Sequence, residues 1–297
     1  MPTVERAARE RATWRSLLYV PANVRRFVEK APQSGADAII LDLEDSVPAA
    51  AKADARAQLI DAVATCRTGV GTVLVRINRS LPLAVRDIEA AVAAGADGLL
   101  VTKAAGPEHI GLLDEMLDEL EQGKGAARMV LVPVIETASA VAVMAQIAAA
   151  STRIVGMLTG AEDLAAECGC TADDELIVMI KRQMVVAAAA AGIAPLGTLG
   201  SVADFRDAEK VREVALRSRQ SGFTGGTCVH PSLVAILNAA FSPSEDEIAL
   251  AKRQVAAAEE AAREGRGSLE VDGRMVDEPI LRRARRVLAA ARWGGAP

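Results

Sequence analysis

The sequence predicts a (β/α)8 barrel, the TIM-barrel form of the α/β class, followed by a C-terminal helical extension. The first observation is a recurring phrase. Ser34-Gly35-Ala36-Asp37 precedes the apolar run Ala38-Ile39-Ile40-Leu41, and Ala94-Gly95-Ala96-Asp97 precedes Gly98-Leu99-Leu100-Val101; Ala191-Gly192-Ile193-Ala194 and Ser221-Gly222-Phe223-Thr224 are looser copies. Each copy reads as a helix ending at a left-handed glycine, with a buried strand directly after it. The glycines fall near multiples of about 30 residues, the length of one βα unit. The second observation is a count of eight apolar, β-branched segments: Ser16 to Val20, Ala38 to Leu43, Thr72 to Ile77, Gly98 to Thr102, Met129 to Ile135, Ile154 to Leu158, Pro195 to Leu199 and Thr224 to Val229. Helical patterns separate them, at Asp87 to Ala94, Glu108 to Leu120, Ser139 to Ala149, Asp174 to Ala190 and Ser201 to Ser221. The third is what lies at the strand ends, where ionisable residues collect. An open doubly wound sheet is the rival, but no G-x-G-x-x-G follows the first segment, and eight strands favour closure. The barrel is expected over residues 14–241 and the extension over 242–297. In the extension, Ser244 and Glu247 have capping-box spacing, and Ala249 to Arg263 continues as a helix.

Composition narrows the function classes. With 297 residues, 51% hydrophobic and 25% charged, the chain has enough apolar side chains for one large core. Its longest apolar stretches, Met184 to Ile193 and Ala140 to Ala150, are too short for a membrane span, and the charged N-terminus lacks a signal core, so no membrane and a cytoplasmic address are expected. Cys66, Cys168, Cys170 and Cys228 form no C-x-x-C pair and are expected to be free thiols. A net charge of −5 with 2% aromatic residues leaves neither the basic field nor the stacking surface that nucleic acid requires.

In a barrel, chemistry gathers at the C-terminal strand ends. Two carboxylates stand out there: Glu136, closing Val132-Pro133-Val134-Ile135, and Asp163, in Gly160-Ala161-Glu162-Asp163-Leu164. They are 27 residues apart, one repeat, which suits two oxygen ligands for a hard divalent cation on adjacent strands. The other ends carry Tyr19-Val20-Pro21-Ala22-Asn23, Asp42-Leu43-Glu44-Asp45, Arg76-Ile77-Asn78, Lys103 and His230-Pro231. Structural roles stand beside the chemical ones. Helix capping is the alternative for Asp45 and Asp163, ion pairing with Glu44 for Arg76, neutralisation of the acidic cluster for Lys103 and loop orientation for His230. His109 is expected at the surface.

Six motifs, in order, carry a resemblance: Arg15-Ser16-x-Leu18-x-x-Pro21-Ala22-Asn23, Leu41-Asp42-Leu43-Glu44-Asp45-Ser46-Val47, Val75-Arg76-Ile77-Asn78, Val134-Ile135-Glu136-Thr137-Ala138, Gly160-Ala161-Glu162-Asp163-Leu164 and Cys228-Val229-His230-Pro231. Together they resemble the citrate lyase beta-subunit-like branch of the HpcH/HpaI aldolase superfamily, which includes malyl-CoA and citramalyl-CoA lyases. The resemblance runs from about residue 14 to residue 288.

The resemblance implies a lyase using Mg2+ (or Mn2+) that cleaves a 3-hydroxyacyl-CoA of the citramalyl, malyl or citryl type to acetyl-CoA and a 2-keto acid, or runs the reverse Claisen condensation. Glu136 and Asp163 match its metal ligands, and Arg76 the arginine that binds and polarises the keto-acid oxygen. Glu44 and Asp45 match acids that orient Arg76 and water on the metal. Backbone N–H groups of Gly160, Ala161 and Glu162 match the substrate-carboxylate turn. Tyr19, Val20, Arg25 and Lys30 lie where the family approaches coenzyme A, and His230 is a further candidate contact. Asp277, in Met275-Val276-Asp277-x-Pro279, matches a proton donor contributed by a neighbouring subunit; its alternative is the N-cap of the helix from Pro279 to Ala291. Homotrimers and hexamers occur in the family. Thr102-Lys103 departs from the usual Pro-Lys after strand four. A metal-dependent aldolase acting on a free 4-hydroxy-2-keto acid, a Schiff-base aldolase using Lys103, and a citryl-carrier-protein lyase subunit of a complex remain as alternatives.

Overall fold

The computed structural model describes residues 12–122, 128–200, 206–263 and 269–293. The chain divides into two compact units, Met1–Asn238 and Ala239–Pro297. In the first unit the order is β1 (Ser16–Pro21), α1 (Arg25–Lys30), β2 (Ala38–Asp42), α2 (Lys52–Ala57), α3 (Leu59–Cys66), β3 (Thr72–Ile77), α4 (Leu81–Ala93), β4 (Gly98–Val101), α5 (Pro107–Glu121), β5 (Val130–Ile135), α6 (Ala138–Ala142), α7 (Met144–Ala149), β6 (Gly156–Thr159), α8 (Ala161–Cys168), α9 (Glu175–Ala191), β7 (Ala194–Pro195), α10 (Ala208–Gln220) and β8 (Gly226–Cys228). Helix α11 (Val234–Phe241) leads into the second unit, which contains α12 (Glu245–Arg263), β9 (Leu269–Val271), β10 (Arg274–Val276) and α13 (Glu278–Trp293).

All eight strands of the first unit pair in parallel in the order β7-β6-β5-β4-β3-β2-β1-β8. The two ends of that sheet meet through a parallel bridge from Leu196 to Gly225, with Thr224 N–H donating to Pro195 O at 2.9 Å and Gly197 N–H to Gly225 O at 2.8 Å. The barrel therefore closes. Leu17, Ala38, Ile40, Leu74, Leu100, Val132, Val134, Leu158 and Leu196 fill its interior, while Leu18, Ile39, Leu41, Val73, Val75, Leu99 and Leu131 alternate with them and are also buried. Burial on both faces explains why these strands read as continuous apolar runs. Each such side chain contributes roughly 1.5–3 kcal/mol through burial. Gly35, Gly95, Gly192 and Gly222 all have positive φ, between 68° and 100°, as the recurring phrase requires.

Several boundaries differ from the sequence expectation. Strand seven is short because Gly197, at φ 118°, leaves the extended region. Helix α4 starts at Leu81, with Pro82 in its first turn where a missing N–H costs nothing. Helices α2 and α3 were not anticipated. The first five positions of the expected helix from Ser201 lie outside the described residues; Asp207 caps α10 by accepting from Lys210 N–H. At the N-terminal strand ends, Arg153 is fully buried and paired with Asp114, Asp118 and Glu121, a structural network far along the strands from their C-terminal ends.

In the second unit, Ser244 and Glu247 form the expected capping box, through Ser244 N–H to Glu247 Oε2 at 2.8 Å and Glu247 N–H to Ser244 Oγ at 3.2 Å. Strands β9 and β10 pair as a hairpin around Asp272-Gly273, both at positive φ. An Asp-Gly pair is the residue choice for such a two-residue turn, so the sequence itself carries the hairpin signal. No helix among the described residues is long and apolar enough to cross a membrane.

Candidate active site

The site starts from the register of β2 and β3, which places Asp42 beside Arg76. Ala38, Ile40 and Asp42 point to the barrel interior by period two, as do Leu74 and Arg76. Arg76 grips Asp42 with two of its three nitrogens, Nε to Oδ1 at 2.6 Å and Nη2 to Oδ2 at 2.7 Å. Its remaining nitrogen, Nη1, reaches Glu44 at 3.1 Å and Asp45 at 3.4 Å. The guanidinium lies 5.0 Å over the Tyr19 ring. Glu44, the partner expected for Arg76, is thus secondary to Asp42, which the sequence analysis had not singled out. Burial alone would raise the Asp42 carboxyl, but the hydrogen bonds and charge of Arg76, with Ser46, hold it below the usual carboxylate range. Glu44 moves the other way, raised by burial and by Asp45 against the pull of Arg76 and Lys103.

The loop after β2 is held from behind. Lys52 donates to Leu43 O at 2.9 Å, Glu44 O at 2.8 Å and Asn78 Oδ1 at 2.6 Å. Asn78 Nδ2 donates to Leu43 O at 2.9 Å and to Asp87 Oδ2 at 2.7 Å, and Arg56 pairs with Asp87 at 3.0 Å. This support was invisible in sequence because its members come from three separate segments.

Across the barrel, Glu136 closes β5 at 5% exposure, and Asp163 occupies the first turn of α8. Neither Asp45 nor Asp163 is a helix N-cap; Gly160 holds that position in α8, with no side-chain cap. Lys103 joins the two sides of the site. It has φ 46°, a left-handed conformation that costs a non-glycine residue about 1–3 kcal/mol. In that conformation its N–H donates to Glu136 Oε1 at 2.5 Å, and its ammonium lies 3.2 Å from Glu44, 3.3 Å from Asp163 and 4.0 Å from Glu136. Burial opposes the ammonium's charge, but Glu136, Glu44 and Asp163 raise its pKa above the usual lysine value. Burial, aided by Asp163 and Glu44 and opposed by Lys103, pushes the Glu136 carboxyl up to about 7.

Tyr19, Asp45, Arg76, Glu136, Gly160, Ala161, Glu162 and Asp163 line one cavity of about 440 Å³. Glu44 adjoins it through Arg76 and Lys103, and the remaining candidate residues lie elsewhere. Val20, 3% exposed, alternates with Tyr19, so its side chain belongs to the packing outside the barrel interior. Arg25 and Lys30 are exposed; Arg25 pairs with Glu29 at 2.7 Å and borders a separate cavity with Asn23, Gln58 and Asp61. His230 caps the turn Pro231–Leu233 by accepting from Ser232 N–H, the loop-orienting role. His109 is half-buried rather than at the open surface, accepting from Ala105 N–H; burial, then Arg79, lowers its pKa. Asp277 belongs to the second unit, is exposed, and caps α13 by accepting from Ile280 N–H at 3.1 Å.

The donor set fits a hard divalent cation. Glu136 and Asp163 present carboxylate oxygens to a point that already draws in an ammonium, and Gly160 leaves space for Glu136, since a Cβ there would lie 2.3 Å from Glu136 Oε2. Among the described residues no three His, Cys, Asp or Glu side chains converge to hold a metal by themselves. Two protein carboxylates suit magnesium, which keeps several waters or substrate oxygens. Gly160→Ala is expected to displace Glu136, weaken magnesium binding and lower kcat about 100-fold, read by titration calorimetry and steady-state kinetics.

The chain matches the HpcH/HpaI aldolase/citrate lyase family over residues 15–231. The protein is a member of that family. Among similar proteins of the HpcH/HpaI aldolase/citrate lyase family, a (3S)-malyl-CoA thioesterase of Cereibacter sphaeroides is 36% identical over 94% of this chain and 94% of its own length. An L-malyl-CoA/beta-methylmalyl-CoA lyase of Rhodobacter capsulatus is 33% identical over 93% of this chain and 94% of its own. The solved CitE protein of Mycobacterium tuberculosis, in complex with magnesium, acetoacetate and coenzyme A, superposes with a TM-score of 0.72 at 30% identity, covering 93% of this chain and 97% of that one.

Proposed function

We propose that this HpcH/HpaI aldolase/citrate lyase family member is a magnesium-dependent carbon–carbon lyase that cleaves a 3-hydroxyacyl-CoA to acetyl-CoA and a 2-keto acid, or joins them in reverse. The observation that carries this is the placement of the Arg76–Asp42 clamp and the Glu136/Asp163 pair on one cavity. Bound at Glu136 and Asp163, magnesium would supply Lewis acidity to the carboxylate and hydroxyl end of the substrate. Arg76 holds fixed positive charge for the oxygen that becomes the keto-acid carbonyl, and Asp42 keeps that charge aimed. The hydroxyl proton would leave through Asp45, an exposed carboxylate in the cavity lining. As the carbon–carbon bond breaks, its electron pair passes to the acetyl thioester, and Asp277 of a neighbouring copy protonates that carbon. The first N–H groups of α8, at Ala161 and Glu162, would donate to the substrate carboxylate, whereas the Gly160 N–H of the expected turn is already donated to Ile135 O at 3.0 Å. A trimeric or hexameric assembly in the cytoplasm accords with this role for Asp277. The similarity to a thioesterase makes hydrolysis a second outcome to be resolved.

A coupled assay of malyl-CoA, citramalyl-CoA and citryl-CoA, with magnesium or excess EDTA, tests the proposal. EDTA-sensitive release of acetyl-CoA and keto acid from one of them is expected. Free coenzyme A with an intact hydroxy acid would indicate hydrolysis, and cleavage of a free 4-hydroxy-2-keto acid alone would replace the thioester reading with the aldolase one. The pH dependence is also defined. Because the Glu136 carboxyl is pushed up to about 7, it is protonated below that pH, so magnesium affinity should fall about tenfold per pH unit between 7 and 5. In the metal-free protein the same raised carboxyl contributes stability that is lost as pH rises through about 7, so Tm in EDTA should increase from pH 8 to pH 6.

A further inference from the structure

The cavity that holds Arg76, Glu136 and Asp163 extends to Lys181, Thr198 and Gly200. Lys181 lies on α9, the helix packed over β6 and β7, and is 5% exposed. Its ammonium has three hydrogens to donate, yet its one hydrogen-bond partner among the described residues is Leu199 O at 3.1 Å. No carboxylate forms an ion pair with it among those residues; Glu162 of α8 acts on it only through its charge. A second buried polar atom lies at the same side of the cavity. Thr159 lines it, and among the described residues its buried hydroxyl has no partner. Alternation from the interior Leu158 turns Thr159 toward the outer face of β6, which α9 covers. A buried cation without a counter-ion is costly, and so is an unpaired buried hydroxyl, unless a ligand completes both.

We infer that Lys181 and Thr159 form an anion subsite which selects a substrate bearing a second carboxylate, on the substituent of the carbinol carbon. This deepens the proposed lyase reading and rests on it. The three candidate thioesters differ only in that substituent, which is hydrogen in malyl-CoA, methyl in citramalyl-CoA and a carboxymethyl group in citryl-CoA. Only the last offers a second carboxylate, the one on that substituent, to Lys181. The corresponding keto acid is oxaloacetate rather than glyoxylate or pyruvate. The lysine's pKa, lowered by burial to about 8, accords with a charge that the described residues leave largely uncompensated.

The test compares the parent, Lys181→Met and Lys181→Arg on citryl-CoA and citramalyl-CoA with magnesium, and titrates the same magnesium-loaded proteins with oxaloacetate and pyruvate. The parent is expected to prefer citryl-CoA and oxaloacetate. Lys181→Met should reduce kcat/KM for citryl-CoA about 50-fold and leave citramalyl-CoA within about threefold, with Lys181→Arg restoring most of the difference. Equal losses on both substrates, with a lowered Tm, would show Lys181 to be only a pin between α9 and the loop after β7 and would overturn the inference while the lyase function stood. A parent that favours citramalyl-CoA would overturn it too. If no thioester is cleaved, the lyase proposal fails on its own, and the titration decides the subsite: a preference for oxaloacetate over pyruvate that Lys181→Met abolishes supports it, and no preference overturns it.

Discussion

Asp277→Asn is expected to lower kcat about a thousandfold while magnesium affinity stays within about twofold of the parent, the effect the proposed general-acid role of Asp277 requires. Asparagine is the informative replacement. Asp277 caps α13 through Ile280 N–H, and asparagine keeps that cap where alanine would add about 1 kcal/mol of helix destabilisation to the kinetic loss. A mixing experiment then asks whose site Asp277 serves. Asp277→Asn chains, inactive for want of the acid, are co-assembled with Glu136→Gln chains, inactive for want of the metal. If the acid crosses to a neighbouring copy, random mixing regenerates about a quarter of the sites. If Asp277 serves its own chain, no activity returns.

Glu136→Gln is expected to abolish magnesium binding at millimolar concentrations and to lower kcat/KM by about three orders of magnitude or more, since it removes the buried oxygen charge of the pair. The replacement conserves volume, which matters beside Gly160, where a Cβ would sit 2.6 Å from the Glu136 Cβ. Tm in EDTA should rise at neutral pH and above, because the variant lacks the Glu136 carboxylate, whose ionisation burial opposes. Retained magnesium affinity would remove Glu136 from the ligand set and with it the assignment of Asp163.

The barrel was legible in sequence for a physical reason. Its strands are buried on both faces, so each is an unbroken apolar run, and the helices before Gly35, Gly95, Gly192 and Gly222 end on residues that tolerate positive φ. The convergence of Glu136 and Asp163 on one cavity was legible because carboxylates rarely end such runs without a partner. Asp42 was not, since its importance comes from strand register, which puts it beside Arg76, a residue 34 positions away. The alternation Ala38, Ile40, Asp42 is the signal that would have found it. Lys52, Asn78 and Asp87 were hidden for the same reason, being neighbours only after α2 and α4 have packed. Lys181 sits in an alanine-rich helix where one lysine looks like surface, and only its burial at the cavity distinguishes it.

Lys103 carries a consequence for how the centre trades its cation. An ammonium tethered within 4.0 Å of Glu44, Asp163 and Glu136 acts as an internal competitor, keeping the carboxylates gathered before any ion arrives and yielding to a divalent ion when one does. The ion therefore enters a site whose negative charge the ammonium already partly neutralises, which weakens the long-range attraction that added salt would screen. The same tether works against affinity, so replacing Lys103 by methionine should tighten magnesium binding to any variant that still folds.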